Sequence, residues 1–164
     1  MIGDRIDTTK TKYGAAIGLI KGDEIFLSRR VDTPVFPKKW QFANGRLRGE
    51  EDSKDAATRI VEEQTGIYIA KPRLHFLHSI QVTETAEFYY LFLLHLNEGE
   101  VPMIQTIYWK HYSDWKSFKL EKAVVLDLVP GIRTPIRKLL ITYLRLKSQT
   151  DEEIERRAQQ TLAF

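Results

Sequence analysis

Hydrophobic and polar positions along the chain predict two β-hairpins. Small, apolar and β-branched residues fill positions 13–20 and 24–28 on either side of a Lys-Gly-Asp turn, which is typical of two antiparallel strands. Two longer apolar stretches, 74–83 and 87–96, have Thr85 in their connection and predict a second hairpin.

Two further segments show a less regular pattern. Residues 40–47 predict a short strand that runs into a loop containing Asn44-Gly45, and residues 106–112 predict another strand. Between them, residues 52–65 have the pattern of an amphipathic helix, and Gly66 follows where a left-handed C-terminal residue is expected.

The C-terminal part of the chain predicts two more helices. The first begins at Thr134-Pro135, and its apolar positions predict a buried stripe of Ile132, Ile136, Leu139, Leu140, Tyr143 and Leu144. Thr150 and Glu153 form a capping-box pattern for a last short helix. Its stripe of Ile154, Ala158 and Leu162 is narrow, so we expect it to dock on its own domain or on a second subunit.

Mixed strands and helices without strict βαβ alternation predict a compact α/β (α+β) fold. The 164 residues suit one domain, which we assign to residues 1–149, with a helical extension over 150–164. No apolar run approaches the roughly 18 residues of a membrane span. The absence of cysteine excludes disulfides, thiolate zinc sites and cysteine nucleophiles. Residues 1–14 lack the apolar core of a signal peptide, so we expect a cytoplasmic protein.

Charge is unevenly distributed although the net charge is only +3. The acidic segment 49–63 lies between two basic stretches, 1–48 and 104–149. This order suits a site for a metal ion and phosphate. The alternative is a solvated helix face beside ordinary surface lysines, and charge alone leaves both open.

The segment from Gly45 to Ile67 carries the candidate chemistry. It begins at a glycine in a turn and ends just past the glycine that closes the helix, and between them lie several carboxylates and, within the helix, one arginine, Arg59. On a helical wheel Ile60, Glu63, Gln64 and Ile67 fall within a face about 100° wide, which we expect to border a groove beside the sheet. Ile60 could also extend the core face of the helix. Arg59 can pair with Asp55 or Glu63, each four residues away.

This spacing resembles the Nudix box, G-x5-E-x7-R-E-U-x-E-E-x-G-U, where U is a bulky aliphatic residue. The approach Trp40–Gly45 resembles the W-x-F-P-G-G of that family. The resemblance implies a Nudix-like α/β/α sandwich with a mixed sheet, here with an extra C-terminal helix. Family members hydrolyse nucleoside diphosphates linked to another group, with magnesium or manganese. The matching positions are Gly45, Glu51, Arg59, Val61, Glu63, Gly66 and Ile67.

The resemblance also implies roles for individual residues. Glu63, Glu51 and Arg59 would be catalytic, and Glu63, Gln64 and the Asn44 carbonyl would hold metal. Arg29 and Arg46 are the candidate substrate-binding residues, because they could hold phosphates near the box, and the alternative is that they are surface charges. Other basic residues near the box, Arg30, Lys38, Lys39 and Arg48, are either phosphate ligands or surface charges. Acidic residues that could help from outside the box are Glu84, Glu87, Glu98 and Glu100.

Two departures from the family pattern alter the expected function. Ile60 and Gln64 replace glutamates that bind metal in the family, and a hard cation needs anionic oxygen ligands. We therefore expect Mg²⁺ or Mn²⁺ to bind weakly or not at all, and hydrolysis to be weak or lost. The alternative is a non-catalytic module that binds a nucleotide, an RNA or a protein. The expected partner is a nucleotide-type small molecule without membrane association, while RNA binding and a homodimer stay open.

Overall fold

The fold is known from a computed structural model that describes residues 10–162, with side chains described for residues 10–161. Its two hairpins agree with those predicted. The strands are β1 (Lys12–Lys21), β2 (Glu24–Arg29), β3 (Trp40–Gln41), β4 (Ala43–Arg46), β5 (His75–Val82), β6 (Glu87–His95) and β7 (Lys116–Lys119). The helices are α1 (Ser53–Thr65), α2 (Leu120–Ala123) and α3 (Arg133–Leu162). Short 3₁₀ turns occupy Lys71–Arg73, Thr83–Thr85 and Thr106–Tyr108.

The strands form one mixed sheet in the order β3-β2-β1-β6-β5, with β4 paired to β1 and β7 to β2. The central strand β1 pairs in parallel with β6 and antiparallel with β2 and β4. Gly14 allows the close packing at this point, because a Cβ atom there would lie 2.5 Å from the carbonyl oxygen of Gly45. The sheet therefore brings β4, which leads into the box, directly against its central strand.

Two apolar clusters lie on opposite faces of the sheet. One cluster contains Ala16 of β1 together with Ile132, just before α3, and Ile136 of α3. The other contains Ile17 of β1 together with Val61 of α1. Alternate residues of β1 face the two sides, as the pleat of a strand requires. The molecule is a three-layer α/β/α arrangement, which confirms the predicted fold class.

The structure corrects two details of the C-terminal half. The predicted strand over 106–112 is a 3₁₀ turn followed by irregular chain, and the strand at Lys116–Lys119 had not been predicted. The predicted separate last helix is wrong, because α3 continues through Thr150 without a break. Thr150 donates its hydroxyl to the Leu146 carbonyl, four residues earlier, instead of capping a new helix. Leu162 of the predicted stripe has its side chain outside the described residues.

No helix among the described residues is both long and apolar enough to cross a membrane.

Candidate functional site

Both ends of α1 are fixed by its own sequence. At the start, the amide of Asp55 donates to the Asp52 side chain at 2.7 Å, and the amide of Asp52 donates to the Asp55 carboxylate at 3.3 Å. This reciprocal pair is a capping box. At the end, Gly66 has φ 76° and donates its amide to the Glu62 carbonyl at 2.9 Å. The predicted helix is confirmed, and its position on the sheet is well determined.

Arg59 connects the helix to the loop that precedes it. Its guanidinium donates two hydrogen bonds to Glu51, at 3.1 and 2.5 Å, one to the Glu63 carboxylate at 3.2 Å, and one to the Arg46 carbonyl at 2.8 Å. The hydrogen bond from Arg59 holds the pKa of the Glu51 carboxyl below its ordinary value, and the same contact raises the pKa of Arg59. Of the two partners predicted for Arg59 on the helix, the structure uses Glu63, while Asp55 pairs with Lys71.

Glu63 is held by two arginines. One carboxylate oxygen accepts from Arg48 at 3.0 Å, and the other accepts from Arg59 at 3.2 Å. The side chain is 31% exposed and faces the loop, so it does not point to bulk solvent on the far side of the helix. Each carboxylate oxygen already pairs with an arginine, so Glu63 is less available to bind a metal ion.

Gln64 binds the backbone of Asn44 with both ends of its carboxamide. Nε2 donates to the Asn44 carbonyl at 2.6 Å, and Oε1 accepts from the Asn44 amide at 3.2 Å. The backbone carbonyl of Gln64 accepts from the indole of Trp115 at 2.8 Å. Two of the three residues predicted as metal ligands, Gln64 and Asn44, are therefore brought together, but they satisfy each other with hydrogen bonds. A glutamate at position 64 could not make the donating half of this pair.

Ile60 belongs to the core and not to a groove. It is 1% exposed and packs with Ala56 and Ala57 against the sheet. A Cβ atom at Gly45 would lie 3.2 Å from both Cγ1 and Cδ1 of Ile60. The interpretation of Ile60 as part of the core face is confirmed, and the expectation that it borders a groove is not.

A cavity of about 320 Å³ opens on the α3 side of the sheet, beside β4. Of the two residues predicted to bind substrate, Arg46 lies in the lining of this cavity and Arg29 does not. Arg29 donates its Nε to the Lys38 carbonyl at 2.9 Å and lies against Trp40. Arg30, the next residue along the chain, does line the cavity. The remaining polar and aromatic lining is Gln41, Asn44, Glu87, Tyr89, Tyr112, Phe36 and Phe42.

Glu87 is the acidic residue outside the box that reaches this cavity. It accepts a hydrogen bond from the hydroxyl of Tyr89, which also lines the cavity. Burial of the Tyr89 side chain raises the pKa of its hydroxyl above the ordinary value. Glu98 instead pairs with Lys21, and Glu100 pairs with Arg73. Sequence reasoning missed Tyr89 and Gln41 as cavity residues. The signal in the sequence was the polar Gln41 between the apolar Trp40 and Phe42, and the structure shows that Gln41 is buried.

The sequence of this chain matches the NUDIX domain profile over residues 11–139. That match spans the whole sheet, helix α1 and the start of α3. The chain belongs to the Nudix family. No curated protein sequence matches it significantly.

Solved structures show the same Nudix fold. A MutT protein from Methanosarcina mazei Go1 superposes with a TM-score of 0.65 at 17% identity, covering 85% of this chain and 97% of that one. A MutT NUDIX hydrolase from Burkholderia pseudomallei gives 0.61 at 20% identity, covering 80% and 96%. A C. elegans Ap4A hydrolase in a binary complex gives 0.61 at 18% identity, covering 79% and 95%. At these identities the likeness establishes the fold.

Nudix proteins generally use divalent metals, and the donor set here does not fit that use. The described residues 10–162 contain no group of three or more acidic, histidine or cysteine side chains arranged to hold a metal ion. At the three box positions concerned, Ile60 is buried hydrocarbon, Glu63 is paired with two arginines, and Gln64 is bound to Asn44. A Nudix scaffold is therefore present with a box whose polar groups are already satisfied internally.

Proposed function

We propose that this Nudix domain binds a nucleotide-type ligand in the cavity beside β4 and hydrolyses it weakly or not at all. The observation that carries the proposal is the paired hydrogen bonding of the Gln64 carboxamide with the Asn44 backbone. This pair closes the position where the family pattern calls for a carboxylate and a free carbonyl oxygen.

A cation at this position would meet the wrong chemistry. It would have to displace the N–H of Gln64 from the Asn44 carbonyl, at 2.6 Å, and that amide group would then face the ion with its positive end. Mg²⁺ demands close, oxygen-only coordination and gives up its water reluctantly. The one anionic candidate, Glu63, would first have to leave Arg48 and Arg59. Together these costs argue against the metal-assisted step.

The cavity retains what ligand binding needs. Arg30 and Arg46 supply positive charge for phosphate oxygens, while Phe36 and Tyr112 supply aromatic surface. Arg30 is already oriented, because its Nη1 donates to the buried Gln41 carboxamide at 2.8 Å. The volume of about 320 Å³ lies at the lower end of the range for small-molecule sites.

Binding is tested by calorimetry with ADP, ATP, ADP-ribose and diadenosine tetraphosphate, each in EDTA and again with Mg²⁺. We expect at least one of these ligands to bind in EDTA, with an affinity that Mg²⁺ changes little. Arg46→Gln should weaken binding at least about tenfold, since a charge-assisted phosphate contact is worth about 1.5–3 kcal/mol. Lys122→Gln, which removes an exposed cation on α2 away from the cavity, should leave the affinity unchanged.

The same titrations decide the role predicted for Arg29. Arg29→Gln should weaken binding if that prediction is correct, although the residue lies outside the cavity lining. Loss of binding only in EDTA, for all four ligands, would contradict the proposal and would point to a metal-dependent site.

Hydrolysis is tested with the same panel by release of phosphate or pyrophosphate. Wild-type protein should be at least about a hundredfold slower than an ordinary Nudix enzyme, as expected when acid–base work is lost. The double variant Ile60→Glu/Gln64→Glu tests whether metal binding can be restored. Without metal it should be less stable than the wild type, because position 60 is buried, and a melting temperature that rises with Mn²⁺ would show that the introduced carboxylates bind the ion. Turnover by the wild type on the order of ten per second would show that the proposal is wrong.

A further inference from the structure

The second half of α3 extends away from the folded domain. From Leu144 to Thr161 every residue is exposed except Glu153, which is partly covered by its ion pairs with Arg156 and Arg157. The exposed residues include Leu144 at 48% and Ile154 at 61%. At 1.5 Å per residue the segment reaches about 27 Å. Most of the stability of a helix in a protein comes from packing one face against a neighbour, so a partner surface would stabilise this segment.

The exposed segment carries a seam with the spacing of a coiled coil. Leu144, Lys147, Asp151 and Ile154 recur at intervals of three and four residues and fall on one side of the helix. Leu140, half-buried against its own domain, and the small Ala158 continue the seam at its two ends. The seam is therefore apolar at the ends and charged in the middle, with a cation and an anion one turn apart.

We propose that this seam pairs with the same seam of a second copy of the chain, antiparallel and centred on residue 149. A two-fold axis at that point places Leu144 against the partner subunit's Ile154 and Lys147 against the partner subunit's Asp151. Each contact occurs twice, because the axis exchanges the two helices.

The charge order selects this orientation over a parallel one. In a parallel pair Lys147 would face the partner subunit's Lys147, and Asp151 would face the partner subunit's Asp151, so both central layers would repel. In the antiparallel pair both layers attract. The small side chain of Ala158 suits the point where the helix of one copy approaches the domain of the other. The two Nudix domains then lie at opposite ends of the helix pair.

Charge reversal tests the pairing on the full-length chain. We expect sedimentation equilibrium to show a monomer–dimer equilibrium for the wild type. Lys147→Asp and Asp151→Lys should each raise the dissociation constant at least about tenfold, since each puts like charges in both central layers. The double variant Lys147→Asp/Asp151→Lys should restore the wild-type value, because the exchanged charges again face opposite charges.

Lys138→Asp is the matched control. It makes the same change on α3 nine residues earlier, on the opposite side of the helix, at an exposed position. Circular dichroism confirms that the variants are folded, which is expected since the altered side chains are exposed. A monomeric wild type over a roughly hundredfold range of concentration would overturn the proposal. The proposal would also be overturned if the single charge reversals left the dissociation constant of the dimer unchanged, or if the double variant failed to restore it.

Discussion

Ile60 of α1 packs so closely over Gly45 of β4 that a side chain at the glycine would crowd it. A Cβ atom at Gly45 would come within 3.2 Å of two carbons of Ile60, tighter than ordinary van der Waals contact. The family pattern has a metal-binding glutamate at the position of Ile60. In this chain the position makes an apolar contact that holds helix α1 against the sheet. Substitutions at Ile60 therefore affect stability first.

Ile60→Glu should destabilise the domain by more than about 3 kcal/mol, because it places an unpaired carboxylate in the core. Ile60→Leu is the matched control and should cost less than about 1.5 kcal/mol. The free energy of unfolding in urea measures both. Equal stability of the two variants would mean that Ile60 can turn outwards and that a groove exists there after all.

Trp115→Phe should cost about 1 kcal/mol, since it removes the indole hydrogen bond to the Gln64 carbonyl and keeps most of the apolar contact. The exposed Trp109 provides the control, and Trp109→Phe should leave the melting temperature unchanged. Ligand affinity measured beside stability shows whether this support of Gln64 also matters for the cavity. A Trp115→Phe variant as stable as the wild type would contradict the assigned hydrogen bond.

Glu51→Gln should cost about 1.5–3 kcal/mol at neutral pH, the range for a hydrogen bond to a charged partner. It weakens the contact through which Arg59 holds the loop to the helix. Glu50→Gln, at the exposed position one residue earlier, is the control and should be neutral.

The pH dependence of this difference follows from the pKa of Glu51, which Arg59 lowers from an ordinary value of 4.5. A carboxylate with a depressed pKa in the folded state stabilises the protein above its pKa in the unfolded state, and this stabilisation is lost as the pH falls through the folded-state pKa. The stability gap between wild type and Glu51→Gln should thus be full near pH 7 and shrink below pH 4.5. Urea unfolding at a series of pH values measures it, and a constant gap would be inconsistent with this assignment.

Truncation after Ser148 should separate the domain from the pairing helix. Truncation removes residues 149–164, and almost all of the side chains that the structure describes among them, in residues 149–161, are exposed. We therefore expect the melting temperature of dilute protein to change little. Dimerisation should be lost. A large drop in stability at concentrations where the full chain is monomeric would instead show that the end of α3 docks on its own domain.

The local parts of the box could be predicted from sequence, and the long-range parts could not. The spacing from Asp52 to Gly66 contains the caps and the periodicity of α1, which are local effects. The bond between Gln64 and Asn44 joins residues twenty apart on different elements, so it depends on how α1 lies on β4. Strand β7 has only four residues, and two of them are lysines, which have a low strand propensity. It is a strand because it pairs with β2, a long-range contact that its sequence does not show. Residues 106–112 were misassigned because their aromatic residues, including the exposed Trp109, resemble a buried strand.

The parallel pairing of β1 with β6 sets the order in which the domain can be completed during synthesis. Strand β1 and its hairpin partner β2 are synthesised early, within the first 29 residues. The strand that covers the other edge of β1 is β6, which ends at His95. Until then the most buried strand of the sheet has one unsatisfied edge, a template for pairing with the wrong chain. Bringing β1 and β6 together also costs conformational entropy, because the chain between them must form a loop before any contact of the pair can stabilise it. Co-translational folding of this domain must therefore wait until more than half of the chain has been made.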